Sequence, residues 1–174
     1  MALTLILLIM SATPAAAHSP LVVVPALDLK RYAGAWYEVA RLPNRFEEAC
    51  ARSVTATYAL REDGRVTVTN RCVEADGDTR EAVGIARRVP GQPPSVLEVR
   101  FAPAILSWLP AVWGDYRVIA LDADYQHAVV GTEDRKFLWV LSRTPTMDEA
   151  QLRELLARAG AQGFDIGAVM RVEP

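Results

Sequence analysis

Between residues 34 and 142 the chain breaks into eight short segments rich in Val, Thr and aromatic residues, separated by clusters of Gly, Pro, Asp and Asn. The segments are residues 34–42, 53–60, 65–72, 79–89, 95–101, 114–121, 127–132 and 136–142. Short strands at this spacing, with no long helical pattern between them, predict an all-β barrel or sandwich. The joins alternate in kind. Residues 61–64, 90–94 and 122–126 are short, turn-forming connections that fall at one end of an up-and-down arrangement. Residues 44–52, 73–78, 102–113 and 133–135 fall at the other end, and the 102–113 join carries Ile105, Leu106, Trp108, Leu109, Val112 and Trp113. Loops normally face water, so an apolar loop at one rim points to a mouth that admits or covers something greasy.

Two helical pieces flank the strands. Residues 27–32 read as a single turn feeding the first strand. After the eighth strand, Thr146 and Glu149 form a capping-box pattern. Leu152, Leu155, Leu156 and Ala159 then fall on one helical face, with Gly160 and Gly163 ending it. A short last strand over residues 164–170 is expected beside the first. The chain's 174 residues and 51% apolar content suit one domain with a sizeable core, and a formal charge of −2 gives no nucleic-acid footprint.

Strand alternation assigns inward faces. If Trp36 points in, Glu38 and Ala40 follow on the first strand. Val54, Ala56 and Tyr58 share a face on the second, and Val66 and Val68 on the third, with Asn70 as a polar handle. The fifth contributes Val99 and Phe101, the sixth Tyr116, Val118 and Ala120, the eighth Phe137, Trp139 and Leu141. Leu138 and Val140 remain for the helix. Aromatics mixed with small residues leave room at one end of an eight-stranded barrel, which holds one small ligand or is filled by side chains.

The first seventeen residues stand apart. An apolar run from Ala2 to Ala12, too short to span a bilayer, ends at Ala15, Ala16 and Ala17, a small-residue cleavage pattern. Residues 1–17 therefore read as a secretory signal peptide, although no Lys or Arg precedes the apolar run, and residues 18–174 as the folded domain. No cysteine near the cleavage site supports lipid anchoring. Cys50 and Cys72, exported to an oxidising compartment, most simply form one disulfide. The alternatives are two inert buried thiols or one reactive thiol.

Three landmarks stand in order: Gly34, Trp36, Tyr37 and Glu38; then Asp124, Tyr125, Gln126 and His127; then Leu141, Ser142, Arg143, Thr144 and Pro145. Together they resemble the lipocalin signature. Arg45, Phe46 and Glu47, the run from Val54 to Tyr58, and the stretch from Leu138 to Pro145 are similar to the bacterial lipocalin group related to apolipoprotein D. The resemblance implies an eight-stranded antiparallel up-and-down barrel with one C-terminal helix packed outside. It also implies that Gly34, Trp36, Asp124, Tyr125 and Arg143 form a structural floor, with Arg143 across the Trp36 indole.

The function it implies is binding of a fatty acid or lysophospholipid in the cup, linked to cell-envelope maintenance, with no cofactor, metal or catalytic residue. Trp108 and Trp113 join the lining residues above at the mouth, where Arg45, Arg52, Arg135 and Lys136 could meet a head group. His127 alone, without further donors, does not make a metal or haem site. The expected state is a monomer or weak homodimer, periplasmic or secreted, with outer-membrane association not requiring a lipoprotein cysteine. Two rival readings are a lipid-modifying isomerase or hydrolase, for which Glu38 and Cys50 are the candidate groups, and an envelope interaction protein making peripheral membrane contact through the loop between Trp108 and Trp113.

Overall fold

The computed structural model describes residues 19–174; the proposed signal peptide and His18 lie outside the described residues. The extended arm leads to α1 (Leu29–Tyr32), capped by Asp28, whose carboxylate accepts from the backbone N–H groups of Lys30 and Arg31. α1 feeds β1 (Gly34–Arg41), followed by β2 (Cys50–Leu60), β3 (Val66–Glu74), β4 (Thr79–Arg88) and β5 (Val96–Arg100). β6 (Gly114–Leu121), β7 (His127–Gly131) and β8 (Leu138–Ser142) complete the wall. Each strand pairs antiparallel with the next, β8 returns to β1, and β1 pairs with β2, so the sheet closes. The strand spacing left a barrel or a sandwich open; the eight-stranded up-and-down barrel that the family resemblance implies is the fold of the protein.

Closure is tight only at one end. β1 meets β2 from Gly34 to Tyr37, beside the short β2–β3 turn. Further up, β1 pairs with the short β9 (Met170–Arg171), and the Ser53 N–H donates to the Glu173 carbonyl at 2.7 Å. The C-terminal segment thus fills the seam where β1 and β2 part. Ser53 sits at φ 53°, in the left-handed region, where β2 slips register against β3. The last strand is shorter than the expected 164–170 because residues 166–168 turn as a 3-10 helix and Phe164 is used for packing instead.

Two bulges decide which side chains see the interior. β1 slips against β8 between Glu38 and Ala40, and β6 against β7 between Val118 and Ala120. Strict alternation fails at both points. Ala40 and Ala120, expected inward, instead join the outer core with Val39, Ile119, Val129, Leu138 and Val140.

α2 (Glu149–Ala161) covers that outer core with Leu152, Leu155 and Ala159, the two leucines contributing about 1.5–3 kcal/mol each by apolar burial. Phe164 lies against Gly131, where a Cβ would come within 2.4 Å of its ring. The helix cap is Asp148, not the expected Thr146. Asp148 directly precedes the first helical residue and accepts from the N–H groups of Ala150 and Gln151. Glu149, freed from a capping box, pairs with Arg171 of β9 and ties the helix to the seam.

Candidate functional site

At the closed end, Trp36 is fully buried and its indole N–H donates to the Tyr32 carbonyl at 2.8 Å. The Arg143 guanidinium lies 3.9 Å from the Trp36 ring. It donates to the carbonyls of Arg31, Tyr32, Ala33, Ala35 and Tyr125. One side chain thereby satisfies carbonyls from α1, β1 and the β6–β7 turn. Gly34, at φ +96°, leaves room for it, since a Cβ there would stand 3.3 Å from Arg143 Nη1. Tyr125, at φ 59°, accepts from the Asp28 N–H through its hydroxyl, and Asp124 lies beside it in the exposed turn. Trp36 and Arg143 thus plug this end of the barrel, with Gly34 and Tyr125 against them and Asp124 outside in the turn.

Above the plug a cavity of about 870 Å³ opens toward the 44–50 and 102–113 loops, within the range of small-molecule sites. Its wall carries Val54, Ala56, Tyr58, Val68 and Asn70 from β2 and β3. Val99, Phe101, Trp113, Tyr116, Phe137 and Trp139 complete the far side. Three expected lining residues are elsewhere. Ala40 faces α2 because of the β1 bulge. Val118 is buried among the floor side chains with Trp36 and does not reach the cavity. Trp108 projects into solvent, 75% exposed, because the 104–106 and 110–112 turns aim it outward while bringing Val112 and Trp113 in.

Trp113 anchors that loop. Its ring lies 3.8 Å from the Arg87 guanidinium and 5.3 Å from that of Arg100, and its N–H donates to the Ser107 carbonyl. On the opposite rim Cys50 and Cys72 are joined, with Cα atoms 5.5 Å apart. The bond pins the start of β2 to β3 and removes Cys50 as a nucleophile. Of the basic residues considered for the mouth, Arg45 lines the cavity and packs on Phe46. Arg135 and Lys136 are engaged with Glu133 and Asp134, and Arg52 is exposed outside the cup.

Two polar clusters interrupt the apolar wall, and neither follows from alternation alone. Arg41, turned inward beyond the bulge, donates to Glu38 at 2.9 Å and lies 3.5 Å from Glu47. Glu47 also accepts from Asn44 at 2.7 Å and from the Trp139 indole at 3.2 Å. Two carboxyl groups thus share one guanidinium in a buried wall. Burial, with the Glu47 carboxylate adding to it and Arg41 opposing, pushes the Glu38 carboxyl up to about 8. The cluster reaches charge neutrality with Glu38 protonated and Arg41 balanced by Glu47.

Nearer the floor, the Tyr116 hydroxyl bonds those of Tyr32 at 2.8 Å and Tyr58 at 2.9 Å. Burial holds all three phenols protonated, well above the ordinary tyrosine range. The buried amide oxygen of Asn70 has no hydrogen-bond partner among the described residues. Tyr32, Arg41 and Glu47 were not among the candidate lining residues; the adjacent apolar pair Val39 and Ala40 is the sequence sign that β1 breaks its alternation there.

The family model for the Lipocalin-like domain matches residues 27–174, nearly all of the described chain. The chain belongs to the lipocalin family. This lipocalin is 41% identical over 152 residues to the outer membrane lipoprotein Blc of Escherichia coli K12, covering 87% of this chain and 81% of that protein. It is 29% identical over 145 residues to mouse apolipoprotein D, covering 80% and 72% respectively. The lipocalin superposes on insecticyanin from the tobacco hornworm with a TM-score of 0.67 at 18% identity, over 90% of this chain and 86% of that one. It therefore falls in the bacterial lipocalin group related to apolipoprotein D.

Proposed function

We propose that this lipocalin holds a long-chain lipid, a fatty acid or lysophospholipid, in the cup and serves the cell envelope as an exported carrier or store. The observation that carries the reading is the cavity itself: a largely apolar cup of about 870 Å³, open at the rim, where a core would otherwise be. The 41% identity to an outer membrane lipoprotein and the Cys50–Cys72 disulfide support an exported, periplasmic or secreted address. A head group would meet Arg45, which among the described residues has no ionic partner.

The driving force is apolar burial, about 0.8 kcal/mol per methylene. Affinity should therefore rise about four-fold per added methylene until the chain fills the cup. Titration with fatty acids and lysolipids of increasing length, read by quenching of Trp113 and Trp139, tests this. The reading fails if no saturable change is seen for any chain length.

A second reading, docking on a membrane, has one observation in its favour: Ile105 and Trp108 stand 80% and 75% exposed on the rim loop. Co-sedimentation with anionic liposomes, comparing the native chain with an Ile105→Ser/Trp108→Ser variant, separates a membrane-docked carrier from a free one.

A further inference from the structure

The tyrosine trio has more protons than acceptors. Tyr32, Tyr116 and Tyr58 form a chain of three hydroxyls joined by two hydrogen bonds, and none of the three reaches another acceptor among the described residues. Two O–H protons lie within those bonds. The third has no protein partner, whichever way the chain is oriented. Tyr32 and Tyr58 are 2% and 7% exposed, and all three residues line the cavity near its floor. Around them the wall is apolar, with Leu29, Val66, Leu97 and Leu141. A lipid entering with a plain methyl end would leave this donor facing hydrocarbon, an arrangement that buried polar groups avoid.

We propose that the tyrosine trio is a hydrogen-bond donor site for a neutral oxygen, a ketone or hydroxyl, carried at the end of the lipid that enters the barrel first. The inference rests on the lipid-binding reading above and names the ligand class within it. Neutrality follows from the surroundings. The nearest guanidinium, Arg143, lies against Trp36 and spends its N–H groups on backbone carbonyls. On the cavity side the neighbouring ionisable groups are Glu38 and Glu47, with Arg41 already engaged by both. A carboxylate driven to the floor would meet a donor but no free cation. An uncharged oxygen meets the donor without that penalty, leaving the charged head group of the same lipid at the mouth.

The test compares three lipids of equal length on the full exported chain: stearic acid, its analogue with a ketone on the penultimate carbon, and the isomer with the ketone at mid-chain. The expected result is about five-fold tighter binding of the end-ketone lipid than of stearic acid, the gain of one well-made buried hydrogen bond. The mid-chain isomer should show no gain. In a Tyr32→Phe/Tyr58→Phe/Tyr116→Phe variant the ratio of end-ketone to stearic-acid affinity should fall to one, whatever the absolute affinities of the two lipids. Equal affinity of the native protein for stearic acid and the end-ketone lipid would overturn the inference and leave lipid binding standing. So would an advantage that persists in the triple variant. Absence of binding by all three lipids would overturn both. Should the triple variant not fold, the comparison of positional isomers on the native chain still decides.

Discussion

Two side chains carry opposite kinds of burden. Arg143 serves the fold: it closes five backbone carbonyls and covers Trp36. Arg143→Ala would leave those carbonyls competing for water around a bare indole, a loss of about 2–4 kcal/mol of stability in urea unfolding, with lipid affinity of the folded fraction unchanged. Glu38 carries a pH dependence. Its carboxyl stands at about 8 in the fold against an ordinary value of 4.5, so the folded state binds this proton more tightly than the unfolded chain does. Its contribution to stability is complete below about pH 4.5 and declines as pH rises toward about 8. Glu38→Gln keeps an acceptor for Arg41 and removes the titration. Thermal midpoints of the native protein should therefore fall relative to the variant across that window. Parallel midpoint curves would show that Glu38 does not titrate there. The sequence marks Glu38 as an inward carboxylate, yet its partners come from a bulge and a loop. Register slips depend on how neighbouring strands and the C-terminal segment compete for β1, of which the local pattern shows only the adjacent apolar pair Val39 and Ala40.

The strands themselves were legible because each is a short, alternating run between turn residues, and β6 coincides with its expected span of residues 114–121. What alternation cannot supply is parity beyond a bulge, which is why Ala40 and Ala120 change sides while Trp139 and Leu141, on an unbroken stretch of β8, do not. The cap lies two residues later than the pattern suggests: Thr146 fits the pattern, but Asp148 holds the geometry. Asp148→Ala should accordingly destabilise by about 1 kcal/mol, whereas Thr146→Ala should not loosen the helix N-terminus. At the opposite rim, the disulfide spans a sequence separation of 22 residues, for which the chain-entropy model gives about 3 kcal/mol. A Cys50→Ser/Cys72→Ser variant should lose stability of that order in denaturant. Because Cys50 begins β2 beside the mouth, its rim should also show faster amide exchange than the floor near Gly34.

At the scale of the molecule, α2 and the outer core are closely packed while the barrel interior holds a cavity, so a lipid bound as proposed would take the place of a missing core layer. Ligand binding and folding are then linked: lipid at a hundred times its dissociation constant should add about 2.7 kcal/mol to the stability of the native state. For a chain of this size that corresponds to a rise in thermal midpoint of roughly 5–10 °C. The same logic predicts what happens when the layer is supplied covalently. Ala56 lies on β2, half-buried because its free face opens into the cavity. Ala56→Trp would occupy that space with a side chain that has no wall to collide with at once. The variant should fold, keep its midpoint in the absence of lipid within a few degrees of the native protein's, and lose the lipid-induced rise. A variant that still gains stability from lipid would show that the ligand sits elsewhere, outside the barrel. A variant that unfolds would show that the cup is a packed core already complete without a guest.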